Sequence, residues 1–336
     1  MISEESTFPT ISILVAARNE QATILRCLEA LHTIQYPISK LEILIGDDHS
    51  EDQTGEIIDS FVADKSHFSS YTILDNVPGL QGKANVLAQL ARKSTSDYLF
   101  FCDADIAVAP SWLKYMIPLF KKDLGVVVGI TRMTETGFFA GMQSLEWILS
   151  LSAMRFFSLW DVPFTGMGNN MAVSREAYVK IGGYEGIGFS IVEDYALYIA
   201  VIEKGYGFAQ GFQKEITSVS IPIKSLSELL TQRKRWVQGA MSAPLPIKLS
   251  FFISALFLPL LFILYQWNPT AAGYVALMHY VLVTGISFTG ARILRQTDLV
   301  KYLPFFWFYF NFNNTVMLIN YLLPTPTIWK GRTYTS

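Results

Sequence analysis

Histidine and cysteine are scarce in this chain, and neither is spaced to hold a metal. The four histidines stand at 32, 49, 67 and 279 with none paired at helical spacing, which argues against a zinc site. Cys27 and Cys102 lie in apolar surroundings and read as small buried hydrophobes. No Gly-x-Gly-x-x-Gly follows the first apolar run, and Gly79-Leu80-Gln81-Gly82-Lys83 is only superficially like a P-loop. A dinucleotide-binding dehydrogenase and a P-loop nucleotidase are both disfavoured. Positive charge is not in excess either: 26 Lys plus Arg face 28 Asp plus Glu, which leaves no basic field for nucleic acid. The opening Met1-Ile2-Ser3-Glu4-Glu5-Ser6 is acidic and polar, with no basic segment leading into an apolar run. That predicts no signal peptide and a first domain that stays in the cytosol.

What the chain has in quantity is apolar residues, 51 % of 336, and they are unevenly spread. Charged residues run throughout 1–248, whereas the remainder holds three long apolar stretches at 249–266, 271–290 and 302–323. The expected organisation is a cytosolic domain over 1–240 and a membrane domain over 241–336. Lys248 precedes the first stretch, 266–270 has no Lys or Arg, and Arg292, Arg295 and Lys301 follow the second. This charge pattern predicts a hairpin that leaves and re-enters the cytosol. A simple third span would put Lys330 and Arg332 outside, against the same rule. Asn311, Asn313, Asn314 and Asn320 suggest instead a third stretch that is broken, re-entrant or packed against the others.

In the first domain, short apolar runs alternate with helical periodicity. Ile11–Ala17, Leu41–Gly46, Tyr71–Leu74, Asp97–Cys102 and Leu124–Ile130 read as strands, with helices over 21–35, from Thr54, and over 82–92. This alternation predicts an α/β domain with a mostly parallel sheet and helices on both faces. Ligands of such sheets sit beyond the carboxyl ends of the strands, where Arg18-Asn19-Glu20, Asp47-Asp48-His49-Ser50 and Asp103-Ala104-Asp105 would gather. The plainer reading of any one cluster is a turn or a helix cap; three at successive strand ends point to a site. Residues 138–160, with Trp147 and Trp160, fit either a core helix or one lying at a membrane interface.

Asp103 and Asp105 can flank a hard divalent cation, Mg2+ or Mn2+, whose remaining positions a diphosphate would fill. Thr165-Gly166-Met167-Gly168-Asn169-Asn170 lets backbone approach a ligand closely. Glu193 and Asp194 open a helix over 194–203, either as capping acids or with Asp194 as a general base. Gln232-Arg233-Lys234-Arg235-Trp236 falls on another helix, where Gln232, Arg235 and Trp236 share a face. Arginine forks suit phosphate oxygens, and an indole suits a sugar face or an acceptor. The rival reading is a basic cluster on anionic lipid, with Arg233 and Lys234 pointing away from the other three.

Taken in order, Ala17-Arg18-Asn19-Glu20, Gly46-Asp47-Asp48-His49-Ser50, Gly82-Lys83, Asp103-Ala104-Asp105, Glu193-Asp194 and Gln232-Arg233-Lys234-Arg235-Trp236 resemble the family 2 inverting glycosyltransferases. The likeness is to the membrane-bound branch that holds cellulose, hyaluronan and poly-N-acetylglucosamine synthases and ceramide glucosyltransferases. It covers about 12–240, with Trp329-Lys330-Gly331-Arg332 resembling a short motif after the last membrane helix. The resemblance implies a GT-A-type nucleotide-sugar-binding domain followed by interfacial and transmembrane helices. It also implies that Ala17, Arg18, Glu20, Asp47, Asp48 and Lys83 line the nucleotide-sugar site. Asp103 would support the nucleotide side, and Asp105 would ligate the metal. Asp194, beside Glu193, would be the base, with Gln232, Arg235 and Trp236 closing over diphosphate and acceptor. His49 stands where glycine is often found.

The expected function is transfer of a sugar from a UDP-sugar to a lipid or amphiphilic hydroxyl at a bacterial inner membrane. The small number of apolar stretches favours a single transfer over a polymer-threading channel. The alternatives are a polysaccharide synthase that forms a homo-oligomer or borrows partner helices, a transferase using a lipid-phosphate acceptor, and a non-catalytic membrane scaffold.

Overall fold

The structure, a computed structural model, describes residues 8–134, 137–241, 245–325, 327–329 and 332–334. They fall into two compact units, one within Met1–Arg132 and Met154–Ile221, the other within Met133–Ala153 and Pro222–Ser336.

The first unit runs β1 (Ile11–Ala17), α1 (Ile24–His32), β2 (Leu41–Asp47), α2 (Thr54–Val62), β3 (Phe68–Thr72), α3 (Gly82–Lys93), β4 (Tyr98–Asp103), α4 (Trp112–Met116), β5 (Leu124–Val128) and β6 (Ile130–Met133). After α5 (Phe138–Ser158), which begins in the second unit, come β7 (Met171–Ser174), α6 (Arg175–Lys180), α7 (Gly183–Ile187), α8 (Glu193–Glu203), β8 (Gly207–Gln210) and β9 (Thr217–Ser220). Seven strands form one sheet in the order β3-β2-β1-β4-β7-β5-β8. The first four are parallel, β7 lies antiparallel between β4 and β5, and β8 is parallel to β5. This is the mostly parallel α/β sheet that the alternation of apolar runs predicts. Its central strands are covered on both faces, so β1 and β4 read as near-continuous apolar runs: Ile13, Val15, Leu99 and Phe100 are fully buried.

Two strand expectations need correction. The third strand lies at Phe68–Thr72, three residues before the run Tyr71–Leu74, because pairing with β2 sets Ile43 opposite Phe68 and Asp47 opposite Thr72. Leu74 falls past the end of the ladder and is exposed. The single strand expected over 124–130 breaks at Gly129, so that β5 stays in the main sheet while β6 pairs with β9. A Cβ on Gly129 would collide with the side-chain amide of Asn170. That amide is itself fully buried and holds the break together. Its Nδ2 shares two hydrogens among the Ile130 carbonyl (2.7 Å), the Ile216 carbonyl (2.9 Å) and Ser218 Oγ (2.9 Å), and its Oδ1 accepts from Trp112 Nε1 (2.8 Å). Asn170 is therefore structural, although the sequence placed it in a ligand-facing loop.

The second unit contains the first part of α5, then α9 (Leu226–Ala240), α10 (Leu245–Trp267), α11 (Pro269–Ile293) and α12 (Leu303–Leu322), followed by a hairpin of β10 (Thr327–Trp329) and β11 (Arg332–Tyr334). Among the described residues two helical stretches, Lys248–Trp267 and Pro269–Ile293, are long and apolar enough to cross a membrane, with mean hydropathies of 2.0 and 1.5. Large side chains along them, such as Ile253, Phe262, Leu277 and Met278, are exposed. The third apolar stretch does not meet that criterion. It forms one continuous helix, α12, that packs on its neighbours: Asn311 and Asn313 are buried, and Thr315 Oγ1 donates to the Ala255 carbonyl of α10 (2.9 Å). Asn311 Nδ2 and Asn314 Nδ2 return to carbonyls four residues back, at Trp307 and Phe310 (both 2.8 Å). Those bonds let polar amides sit in an apolar helix without breaking it. In the string Trp329-Lys330-Gly331-Arg332, Lys330 and Gly331 lie outside the described residues, as does the opening segment 1–7.

Asn170→Ala is expected to cost about 3 kcal/mol or more, because it strands several buried polar partners at once. A fall of several degrees in the thermal unfolding midpoint checks this, and an unchanged midpoint refutes it.

Candidate active site

The strand register brings the acidic clusters to one level. Ala17 stands opposite Asp47 on β2, and Ala16 stands opposite Asp103 on β4. Because β7 is antiparallel to β4, with Phe101 opposite Met171, the loop before it arrives at the same edge.

The loops after β1 and β2 clasp each other. Arg18 donates from its guanidinium to the Asp48 carbonyl (2.7 Å) and meets Glu51 at 3.5 Å. Asn19 N–H donates to Ser50 Oγ (3.0 Å), Glu51 N–H to Asn19 Oδ1 (2.9 Å), and Glu20 N–H to Thr54 Oγ1 (2.7 Å). Glu20 also accepts from Thr23 Oγ1 (2.7 Å), and Asp47 accepts from Ser50 Oγ (2.5 Å). Asp48 is buried, and its N–H reaches the carbonyl of buried Ala17 (2.8 Å). Asn19 and His49 both have left-handed backbone, with φ of 52° and 58°. That conformation costs a residue with a Cβ roughly 1–2 kcal/mol. It accounts for the glycine often found where His49 stands.

The chemistry concentrates one strand over. Lys83, on the first turn of α3, places its ammonium 2.5 Å from Asp103 Oδ1 and 2.9 Å from Glu193 Oε1. Burial works to lower the Lys83 pKa, but the carboxylates of Asp103, Glu193 and Asp194 outweigh it and hold the ammonium well above the ordinary lysine range. Asp194 sits in the first turn of α8. Its Oδ2 accepts from Gly168 N–H (2.6 Å) and its Oδ1 from Tyr195 N–H (2.8 Å). Burial, then the Glu193 charge, push the Asp194 carboxyl up to about 6, against the pull of Lys83 and of the Gly168 N–H. Gly168 has to be glycine: an added Cβ would lie 2.8 Å from Asp194 Cβ and 3.1 Å from both Asp194 Oδ2 and Lys83 Nζ. The small-residue loop was read from sequence as approaching a ligand. What it approaches here is the carboxylate.

Among the described residues no three or more His, Cys, Asp and Glu side chains group as a metal site. Asp103 and Asp105 are two hard oxygen donors at the end of β4, and Asp103 faces the Lys83 ammonium in a cluster with more carboxylates than ammoniums. Such a pair fits a cation whose shell substrate phosphates complete, as Mg2+ usually is bound. Backbone anchors this segment, since Arg26 donates to the Asp105 carbonyl (3.1 Å) and to the Val219 carbonyl (2.8 Å). Arg26 carried no signal in the sequence beyond a place on α1.

Gln232, Arg235 and Trp236 lie on α9 of the second unit and are half-buried. Arg233 and Lys234, read from sequence as a candidate pair for anionic lipid, are instead buried inside that unit. Each has a protein partner there. Arg233 meets Glu146 at 2.9 Å, and Lys234 Nζ donates to the carbonyls of Leu323 (2.8 Å) and Thr325 (2.9 Å) and to Thr325 Oγ1 (2.7 Å).

The model of "Glycosyl transferase family 2" matches residues 12–182, and that of "Glycosyl transferase family group 2" matches 98–329. The chain belongs to glycosyl transferase family 2. The first match runs from β1 through α6 and so takes in the edge that carries Asp47, Lys83 and Asp103. Among curated relatives, the probable glycosyltransferase YdaM of Bacillus subtilis is 27 % identical over 73 % of this chain and 58 % of its own length. A beta-monoglucosyldiacylglycerol synthase of Nostoc is 24 % identical over 95 % of this chain and 72 % of its own. A poly-beta-1,6-N-acetyl-D-glucosamine synthase of Staphylococcus epidermidis is 28 % identical over 70 % of this chain and 56 % of its own. The chain thus spans little more than half the length of two of these three. A mannosyltransferase of Pyrobaculum calidifontis, solved with GDP-Man and Mn2+, shares the fold at 17 % identity, with a TM-score of 0.58 over 93 % of this chain and 88 % of that one.

The raised Asp194 pKa makes a stability prediction. Its folded value lies above the ordinary carboxylate value, so its contribution to stability is fully present below about pH 4 and lost as pH rises through about 6. Asp194→Asn is therefore expected to unfold at a higher temperature than the unaltered protein above pH 6, with the gap closing near pH 4. Midpoints measured across that range test it; a less stable variant at pH 8 refutes it.

Proposed function

We propose that this protein is an inverting glycosyltransferase that moves a sugar from a UDP-sugar to a hydroxyl of a membrane lipid. In this reading Asp194 is the general base. The observation that carries it is the Asp194 carboxylate, fixed by two backbone N–H groups with its pKa pushed up to about 6. A base with that value is ionised at neutral pH yet still accepts a proton readily. Asp194 takes the proton of the acceptor hydroxyl as its oxygen bonds to the anomeric carbon. The bond from that carbon to the diphosphate oxygen breaks on the opposite face, which inverts the configuration. Asp48, Asp47, Arg18, Ala17 and Glu20 line the nucleoside side, with Asp103 and Lys83 toward the sugar phosphates. Asp103 and Asp105 would hold Mg2+ or Mn2+, which when bound supplies positive charge for the departing diphosphate. Lys83 balances the carboxylates around it while Gly168 and Tyr195 keep the Asp194 oxygens in place. Gln232, Arg235 and Trp236, on α9, are assigned to binding diphosphate and acceptor.

The lipid acceptor is supported by the Nostoc relative, whose match extends over 95 % of this chain and so reaches into the apolar helices. Exposed apolar side chains along α10 and α11 suit a lipid environment. The catalytic unit faces the cytoplasm, a reading supported by Arg292, Arg295 and Lys301 against the uncharged 266–270. Similarity to the Staphylococcus enzyme favours a second reading, a polysaccharide synthase that acts as an oligomer. Product mass after incubation with labelled UDP-sugars and native membrane lipids separates one added sugar from a polymer.

Transfer should rise with pH through about 6 and then level off. Asp194→Asn is expected to lose at least about 100-fold in turnover while still binding UDP-sugar. Unchanged turnover would remove Asp194 from the mechanism. Asp105→Ala is expected to weaken Mn2+-dependent UDP-sugar binding by about tenfold or more, a difference of roughly 1.4 kcal/mol. Titration calorimetry with and without Mn2+ reads that difference, and equal affinities would rule out Asp105 as a ligand.

A further inference from the structure

The second unit holds an ion pair whose arginine is buried and whose glutamate is nearly so, and the pair is attached to the wrong residues of its string for a simple reading. Spacing singles out Gln232, Arg235 and Trp236, yet the most enclosed charged side chain on α9 is Arg233, 1 % exposed. Arg233 touches two of those three. Its Nη1 donates to Gln232 Oε1 (2.7 Å), and its guanidinium carbon lies 4.0 Å from the centre of the Trp236 ring. On its other side Nη2 donates to Glu146 Oε2 (2.9 Å), on α5. Glu146 is in turn held by α12, where Tyr309 Oη donates to Oε2 (3.4 Å) and Asn313 Nδ2 approaches Oε1 at 3.5 Å. Trp147, next to Glu146, meets the Trp236 ring edge-to-face with centroids 5.8 Å apart. Three helices therefore meet at one ion pair, and its guanidinium contacts the indole and the amide.

We infer that Arg233, held by Glu146, is a positioning residue that sets the orientation of Trp236 and Gln232 for the transfer reaction. The inference rests on the proposed role of Trp236 and Gln232. A buried ion pair is weak evidence for stability as such, because removing two charges from water offsets their attraction. Such a pair can serve instead to fix geometry. Arginine suits this place as lysine would not: its planar cation lies on the indole while its fork serves an amide and a carboxylate together. A stability role and a positioning role predict different outcomes when both charges are removed.

The test compares four variants of the full-length protein in detergent with added lipid, reading the thermal midpoint, turnover and donor KM. Trp236→Ala tests the underlying reading: if its turnover is unchanged, the role given to Trp236 fails, whatever Arg233 does. Glu146→Gln leaves Arg233 without its counter-charge and is expected to lower both midpoint and turnover. The double variant Glu146→Gln/Arg233→Gln is neutral throughout and is expected to bring the midpoint back to within about 3 °C of the unaltered protein. Its turnover should stay about tenfold or more down, with donor KM changed less than about threefold, since no cation lies on the indole. Arg233→Lys keeps the charge facing Glu146 and hence the fold, and is also expected to lose about tenfold in turnover. Loss of turnover in Trp236→Ala with full turnover in Arg233→Lys, or recovery of turnover with midpoint in the double variant, would overturn the inference while leaving the proposed function intact.

Discussion

Asp103, Glu193 and Asp194 could not be gathered at one sheet edge without a cation among them, and Lys83 is that cation. It touches Asp103 and Glu193 directly and stands close enough to Asp194 to pull its pKa down. Burial and the adjacent carboxylate more than offset that pull, so the Asp194 carboxyl is left above the ordinary carboxylate range. The two opposing influences come from different parts of the chain: the lysine from the start of α3, the acids from the end of β4 and the start of α8. The sheet order brings them together, because β4 lies beside β1 and the antiparallel β7 delivers the Gly168 loop to the same edge. A proton acceptor tuned in this way is a property of the fold, not of any one motif.

The second unit solves a different problem. Beside the two helices that are apolar enough to cross a bilayer, α5, α9 and α12 carry enclosed amides, a glutamate and two basic side chains, and each has to find a partner. Asn311 and Asn314 use carbonyls on their own helix, Asn320 uses the Leu230 carbonyl on α9 (2.9 Å), and Glu146 uses Arg233. His279 accepts from Trp307 Nε1 (2.9 Å), so even the histidine of α11 is tied to α12. Of the broken, re-entrant or packed arrangements that the asparagines allow, the third stretch takes the packed one: a continuous helix tied to α9 through Asn320 and to α10 through Thr315.

The strand ends could be read from the sequence because each is an apolar run that stops at an acid, and period and punctuation survive in one dimension. Thus the order of residues alone puts Asp47 and Asp103 at strand ends and Asp194 at the start of a helix. Lys83 takes its place at the nucleotide-sugar site from the family resemblance alone. Its partners Asp103 and Glu193 are 20 and 110 positions away, and nothing local announces them. Asn170 was misread for a similar reason. A Gly- and Asn-rich loop has the composition of a ligand loop, and only the break at Gly129 shows what the amide is for. Arg233 was discounted because helical spacing pointed it away from its motif, whereas a long side chain can reach back over the indole of a residue three positions on.

Lys234 leaves a mechanical legacy. Its ammonium spends all three donors on Leu323 and Thr325, at the carboxyl end of α12, while Asn320 holds Leu230 one turn earlier on α9. Slippage of α9 along α12 by a single turn, about 5.4 Å, would sever every one of these bonds. The two helices are thereby latched as one lever arm, and a push on the basic helix is handed to the last apolar helix without slack.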